Sequence, residues 1–218
     1  MIAGLAGARR RHTLARMRVG LTLVLLAVQL PALAQERAQF YFGAGRFSPE
    51  SNSQLANPSG QHAFVVGGGG RFSPRISWNV EYQNFEQRVD TPASFGQPGF
   101  LVSQSGRSSI ETWSVNGLLK ATLPLGRLDL YAGAGPGYYR STFTVPRQAL
   151  VFFEQDIKRT DSGIGTHWVA GADLRLGERW ALGFQWRRVS FKASFGSEIP
   201  GDVEVGGNLG LVHLRRVF

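Results

Sequence analysis

Three of the four histidines, His62, His167 and His213, lie in the body of the chain, and histidine is the commonest general base. To act as one it needs a nucleophile and an orienting acid within reach. Ser59 and Glu50 are the residues that could approach His62, whereas His167 has Thr166 and Trp168 beside it and no His-x-Ser pattern occurs. The glycine clusters GGGG (67–70) and GAGPG (133–137) have the look of phosphate loops. Neither opens a helical pattern or carries the lysine that grips a nucleotide phosphate, so neither predicts a nucleotide site. With no cysteine, the chain has no disulfide framework and no Cys/His metal cluster. The sequence predicts no catalytic, cofactor or metal centre.

The charged residues carry more information. Arg71, Glu81, Lys120, Asp129, Asp173, Arg175 and Arg187 fall in segments where apolar and polar residues alternate. In WVAGADLRL (168–176) one set is Trp168, Ala170, Ala172, Leu174 and Leu176, and the other is Val169, Gly171, Asp173 and Arg175. That period of two is the mark of a β-strand with unlike faces. Eight such segments are legible, at 38–47, 62–72, 77–89, 110–123, 128–143, 165–176, 180–191 and 203–218. No segment sustains a helical period.

The connections between them alternate in length. SPRI, PLGR and GER are short, whereas the connections over 48–61, 90–109 and 144–162 are long and that over 192–202 is intermediate. In an up-and-down antiparallel array the short turns then share one end and the long loops the other. This asymmetry belongs to bacterial outer-membrane barrels. A soluble lipocalin-like barrel would instead line a pocket with the apolar face. The transmembrane arrangement is preferred because the polar face is rich in Gly, Ser and Asn, which suits a crowded interior. A closed barrel also leaves no unpaired backbone edge in lipid. Trp78, Trp113 and Trp180 sit near strand ends, where interfacial aromatics belong, and Leu123 lies ten residues beyond Trp113, enough to span a bilayer when tilted. The greasy face therefore points outwards and the charges form a lumen network. Glu81 and Lys120 lie on neighbouring strands, Asp129 follows on the next, and Asp173, Arg175 and Arg187 complete a ring. The inward charges read either as a permeation path or as a paired core. The paired core is preferred, because an eight-stranded barrel is only just wide enough for its side chains and buried charges must pair.

Residues 1–34 read as a secretory signal: arginines 9, 10, 11, 16 and 18, an apolar run VGLTLVLLAVQLP, and the small-residue site ALA at 32–34. The apolar run is shorter than the roughly 20 residues of a spanning helix. Cleavage near Ala34 leaves the domain 35–218. The formal charge of +9 then falls to +4, with 19 basic and 15 acidic residues, too mild a balance to argue for nucleic acid.

The chain closes on GLVHLRRVF, with Phe218, Leu214, Val212 and Gly210 on one face. A terminal aromatic on an amphipathic strand is similar to the assembly signal of outer-membrane proteins, with Arg216 as a departure. Together with YAGAGPGYY (131–139) and WALGFQWRRVSF (180–191), residues 37–218 resemble the small eight-stranded outer-membrane barrels: the OmpA transmembrane domain and the OmpX/Ail and opacity-type adhesins. The resemblance implies a monomer in the bacterial outer membrane, inserted by the assembly machinery through its last strand. It implies a structural or adhesin-like role through the long external loops, with a narrow small-solute pore as the alternative and a lipid A-modifying enzyme third. Arg46, Arg88, Arg107, Arg140, Arg188 and Lys192 lie near outer strand ends, at the height of lipopolysaccharide phosphates. They read as phosphate contacts or as ordinary snorkelling side chains. Pro136 removes a ladder donor, so a bulge is expected there.

Overall fold

The computed structural model describes residues 38–50, 58–90, 107–146, 156–196 and 202–218. Residues 1–37, with the expected signal segment 1–34, lie outside the described residues, as do 51–57, 91–106, 147–155 and 197–201. The described residues form ten strands: β1 Gln39–Pro49, β2 Ser59–Ser73, β3 Ile76–Asp90, β4 Arg107–Leu125, β5 Leu128–Val145, β6 Ile157–Arg175, β7 Trp180–Ser190, β8 Lys192–Ala193, β9 Val203–Glu204 and β10 Gly207–Val217. Eight of them close a barrel in the order β1-β10-β7-β6-β5-β4-β3-β2, and every neighbouring pair is antiparallel. The two-residue strands β8 and β9 pair with each other above β7 and β10.

The short connections are tight. Ser73 Oγ accepts the N–H groups of Arg75 and Ile76 at 3.3 and 3.1 Å in the first. Gly126 adopts φ +66° in the second, a left-handed conformation that glycine takes at little cost. The Leu176 N–H donates to the Trp180 carbonyl at 2.9 Å across the third. The barrel is fastened at the same end, where the Phe218 N–H donates to the Ala38 carbonyl at 2.9 Å.

Alternation along the strands sorts the side chains cleanly. Leu119, Leu123, Leu130, Trp168, Leu174, Leu182, Phe184 and Val212 are exposed on the outer wall, while Glu81, Asn116, Lys120, Asp129, Asp173 and Arg187 are buried within. A continuous exposed apolar wall around a charged interior is the reverse of a soluble protein. It requires lipid on the outside.

That arrangement holds for only part of each strand, and nearer the long loops it inverts. In β4 the outward residues change from Val115 and Trp113 to Glu111, Ser109 and Arg107, and the inward ones from Lys120 and Asn116 to Thr112 and Ile110. In β5 Arg140, Thr142 and Thr144 face out, while Tyr139, Phe143 and Val145 face in. In β3 Glu86, Arg88 and Asp90 face out, with Phe85 and Val89 within. The strands thus run past the lipid band into water, and there the barrel closes around an ordinary apolar core. Trp113 and Tyr138, with ring centroids 6.1 Å apart, sit at the change of phase.

Three expectations need correction. Pro136 makes no bulge. The β4–β5 register is the same on both sides of it, and the pairing simply lapses across Gly117–Leu118 and Gly135–Pro136. Glycine permits this, since a Cβ on Gly135 would lie 1.8 Å from the Gly117 carbonyl oxygen. Shifts of register occur instead in β2–β3, between Gly60 and Ala63 and between Arg71 and Ser73. Strand β6 begins at Ile157, not at 165, because the pairing with β5 continues to Val145 through polar residues. The last expected segment, 203–218, is divided between β9 and β10.

Candidate functional site

The lumen is built in two layers. The layer nearer the short turns is charged. Asp129 accepts from Arg175 Nε at 3.0 Å, with a second contact to the same guanidinium, and from Arg215 at 3.4 Å. Asp173 pairs with Arg215 at 3.1 Å and meets the His213 ring at 2.7 Å. Above them Glu81 is paired with Arg187, both side chains fully buried, and also takes the Tyr41 hydroxyl proton in a hydrogen bond. Arg187 donates its other arm to Gln83 at 2.6 Å. A buried ion pair needs further hydrogen bonds to its remaining groups, and Tyr41 and Gln83 supply two of them here, while the Arg187 Nε has no partner.

Lys120 stands apart from this scheme. Its ammonium is 5.4 Å from the Tyr41 ring centroid and 5.0 Å from that of Tyr131, an arrangement of cation–π character. The expected Glu81–Lys120 pair does not form. The register sets Glu81 opposite Asn116 and Lys120 opposite Ser77, so the two charges are at different heights. Glu81 turns across the lumen to Arg187 instead. Arg71 lies at the mouth beside Arg175 and Arg215. Arg215 and His213 belong to the charged layer but were absent from the sequence-derived set. Their signal was available, because Leu209, Leu211, His213 and Arg215 alternate with the outward Gly210, Val212, Leu214 and Arg216.

The layer nearer the long loops is apolar. Phe47, Phe85, Ile110, Phe143, Phe195, Leu209 and Leu211 are each at most 1% exposed. Phe47 stacks against Phe85 with centroids 4.3 Å apart, Tyr139 against Phe191 at 5.3 Å and Phe143 against Phe195 at 5.6 Å. Strands β8 and β9 deliver Phe191, Ala193, Phe195, Val203 and Val205 to this cap, held by the Val205 N–H donating to the Phe191 carbonyl at 2.9 Å. The sequence reading treated 192–202 as a loop and missed the cap. Val189, Phe191, Ala193 and Phe195 carry the alternation that would have shown it.

The remaining candidates are dispersed. His62 is exposed on the outer wall, Ser59 Oγ bonds the Arg88 carbonyl at 3.5 Å, and Glu50 is held by Arg188 at 2.8 Å. These three do not assemble a catalytic set. His167 is buried in the lumen, where neither ring nitrogen has a partner. Among the described residues no group of three His, Cys, Asp or Glu side chains could hold a metal ion. Arg46, Arg88, Arg107, Arg140, Arg188 and Lys192 are all exposed on the outer wall. Two of them are engaged by neighbours, Arg188 by Glu50 and Arg88 by Glu86 at 3.5 Å. Trp78 and Trp180 point outwards near the short turns and Trp113 points outwards at the change of phase. The departure at Arg216 has a local reason: its guanidinium lies over the rings of Trp180 and Phe218, 5.4 and 4.8 Å from their centroids.

A closed antiparallel barrel, apolar outside over a membrane-deep band and charged within, defines an integral protein of the bacterial outer membrane. The chain belongs to the outer membrane protein β-barrel domain family, whose model matches residues 20–212. Among solved structures it is similar to outer membrane protein OprG of Pseudomonas aeruginosa, with a TM-score of 0.56 and 14% identity over 84% of this chain and 96% of that one. It is likewise similar to Neisserial surface protein A, with a TM-score of 0.54 and 14% identity over 83% and 96%. No curated protein sequence matches it.

Proposed function

We propose that this barrel is a non-enzymatic surface protein whose contacts are made by its long outer loops, and that its lumen carries no solute. One observation carries the reading. Above its short-turn mouth the lumen is filled, by ion pairs in the inner half and by the aromatic cap of Phe47, Phe85, Phe143 and Phe195 in the outer half. A filled interior leaves the outside as the working surface. The strands project polar outer faces above the lipid, and they hold up the loops between β1 and β2, β3 and β4, and β5 and β6.

The same reading gives the exposed basic residues a role. Arg46, Arg107, Arg140 and Lys192 would meet lipopolysaccharide phosphates, for which a guanidinium fork is well suited. The chain would be exported by a signal cleaved near Ala34 and inserted as a monomer by the assembly machinery through β10 and Phe218. Intact cells with and without the protein, screened against host-surface glycans and matrix proteins, test the function. Loop-dependent binding supports it. Equal binding by both, together with solute uptake that follows the protein, selects the pore. A mass shift in lipid A on overexpression selects the enzyme.

A further inference from the structure

The charged layer is not balanced. Among the described residues, Arg71, Lys120, Arg175, Arg187 and Arg215 face three carboxylates, Glu81, Asp129 and Asp173. Asp129 serves two guanidiniums, and Asp173 divides itself between Arg215 and His213. Arg215 is 7% exposed at its side chain, yet its Nε has no partner.

Space for a ligand exists beside Arg215. A cavity of about 730 Å³ opens at the short-turn end of the barrel, lined by Arg71, Arg175, Arg179 and Arg215, with Trp180 and Phe218 on its wall and Glu178 as its acid. Each short turn adds an exposed arginine, Arg75, Arg127 and Arg179, so positive potential is focused on the opening.

We propose that this periplasmic mouth is a phosphate-binding site. Four arginines line one opening, two of them (Arg175 and Arg215) anchored by Asp129 and Asp173, and guanidinium N–H groups are well suited to a phosphate's oxygens. A bound phosphate offsets the excess positive charge of the layer above. The phosphate can come from a phosphodiester lipid headgroup of the inner leaflet or from free inorganic phosphate. The aromatic wall at Trp180 and Phe218 lies at the lipid interface, and it places the headgroup of an anionic phospholipid within reach of the opening.

The test uses the processed barrel in nanodiscs of phosphatidylcholine, with or without phosphatidylglycerol. Native mass spectrometry counts retained lipid, and calorimetry at fixed ionic strength follows inorganic phosphate. The double variant Arg71→Gln/Arg179→Gln leaves the Asp129, Arg175 and Arg215 contacts in place. It should weaken binding about tenfold or more, as expected for the loss of charge-assisted hydrogen bonds. Arg179→Gln alone, on an exposed turn, keeps the test available if the double variant does not fold. Saturable phosphate binding in pure phosphatidylcholine, lost in the variant, supports the site with a free anion as ligand. One retained phosphatidylglycerol, displaced by phosphate and lost in the variant, supports it with a lipid as ligand. No saturable phosphate binding and no selective retention, or wild-type behaviour in the variants, overturns it.

Discussion

At the scale of single residues, the Glu81–Arg187 pair is the contact whose loss should be felt most. Both side chains are fully buried, so removing one strands the other in the lumen. Arg187→Met should lower stability by about 3–5 kcal/mol. Lys120→Met should cost less than about 1.5 kcal/mol, because the lysine's ammonium lies over two aromatic rings and makes no direct ion pair, and a buried charge replaced by an apolar group of similar shape is often nearly neutral. Urea unfolding of the two variants in the same detergent compares them directly. An equal cost would show that the lysine holds the layer as firmly as the Glu81–Arg187 pair does. The membership of this layer was largely legible from period-two phase alone. Its pairing was not, because Glu81 reaches Arg187 on a strand 106 residues away, and which side chains meet across a barrel depends on the shear between strands rather than on sequence neighbours.

At the scale of an element, β4 states the argument by itself. Leu119 and Glu111 lie on the same outward face of this strand, one in the lipid band and one above it. Leu119→Arg should cost about 2–4 kcal/mol, the depth-dependent penalty for a cation facing lipid. Glu111→Arg should change stability by less than about 0.5 kcal/mol, as a substitution in water does, and it faces Glu86 across the ladder. Folding yields into bilayers measure both. Equal penalties would place the two residues in one environment and remove the inversion of phase. Strand centres were readable from Trp113 to Leu123 and from Trp180 to Arg187, where one face is apolar. The outer ends were not, since Lys158, Thr160 and Ser162 show water a polar face and leave no apolar alternation to detect. The start of β6 is set by its ladder with β5 rather than by its own composition.

At the scale of the whole molecule, the segregation of short turns from long loops carried the architecture, because antiparallel neighbours in chain order can then close only as an up-and-down barrel. The apolar cap escaped the same reading, since its buried residues are spread over seven barrel strands, one to three from each, and over the β8–β9 extension, with Ile157 of β6 packed against them. After export the chain should be recovered in the outer-membrane fraction, with its amino terminus near Gln35. Mass spectrometry finding residues 1–34 intact on the membrane-inserted protein would refute the cleavage.

The central claim is that the lumen is closed by charge pairs below and aromatic packing above, so that the work is done on the outside. Planar-bilayer recording of the wild-type barrel tests this most directly. A closed lumen predicts little or no steady conductance, and leak that rises only when the Glu81–Arg187 layer and the Phe143 cap are opened together. A stable open state of nanosiemens scale in the wild type would contradict the closed lumen and make the protein a pore.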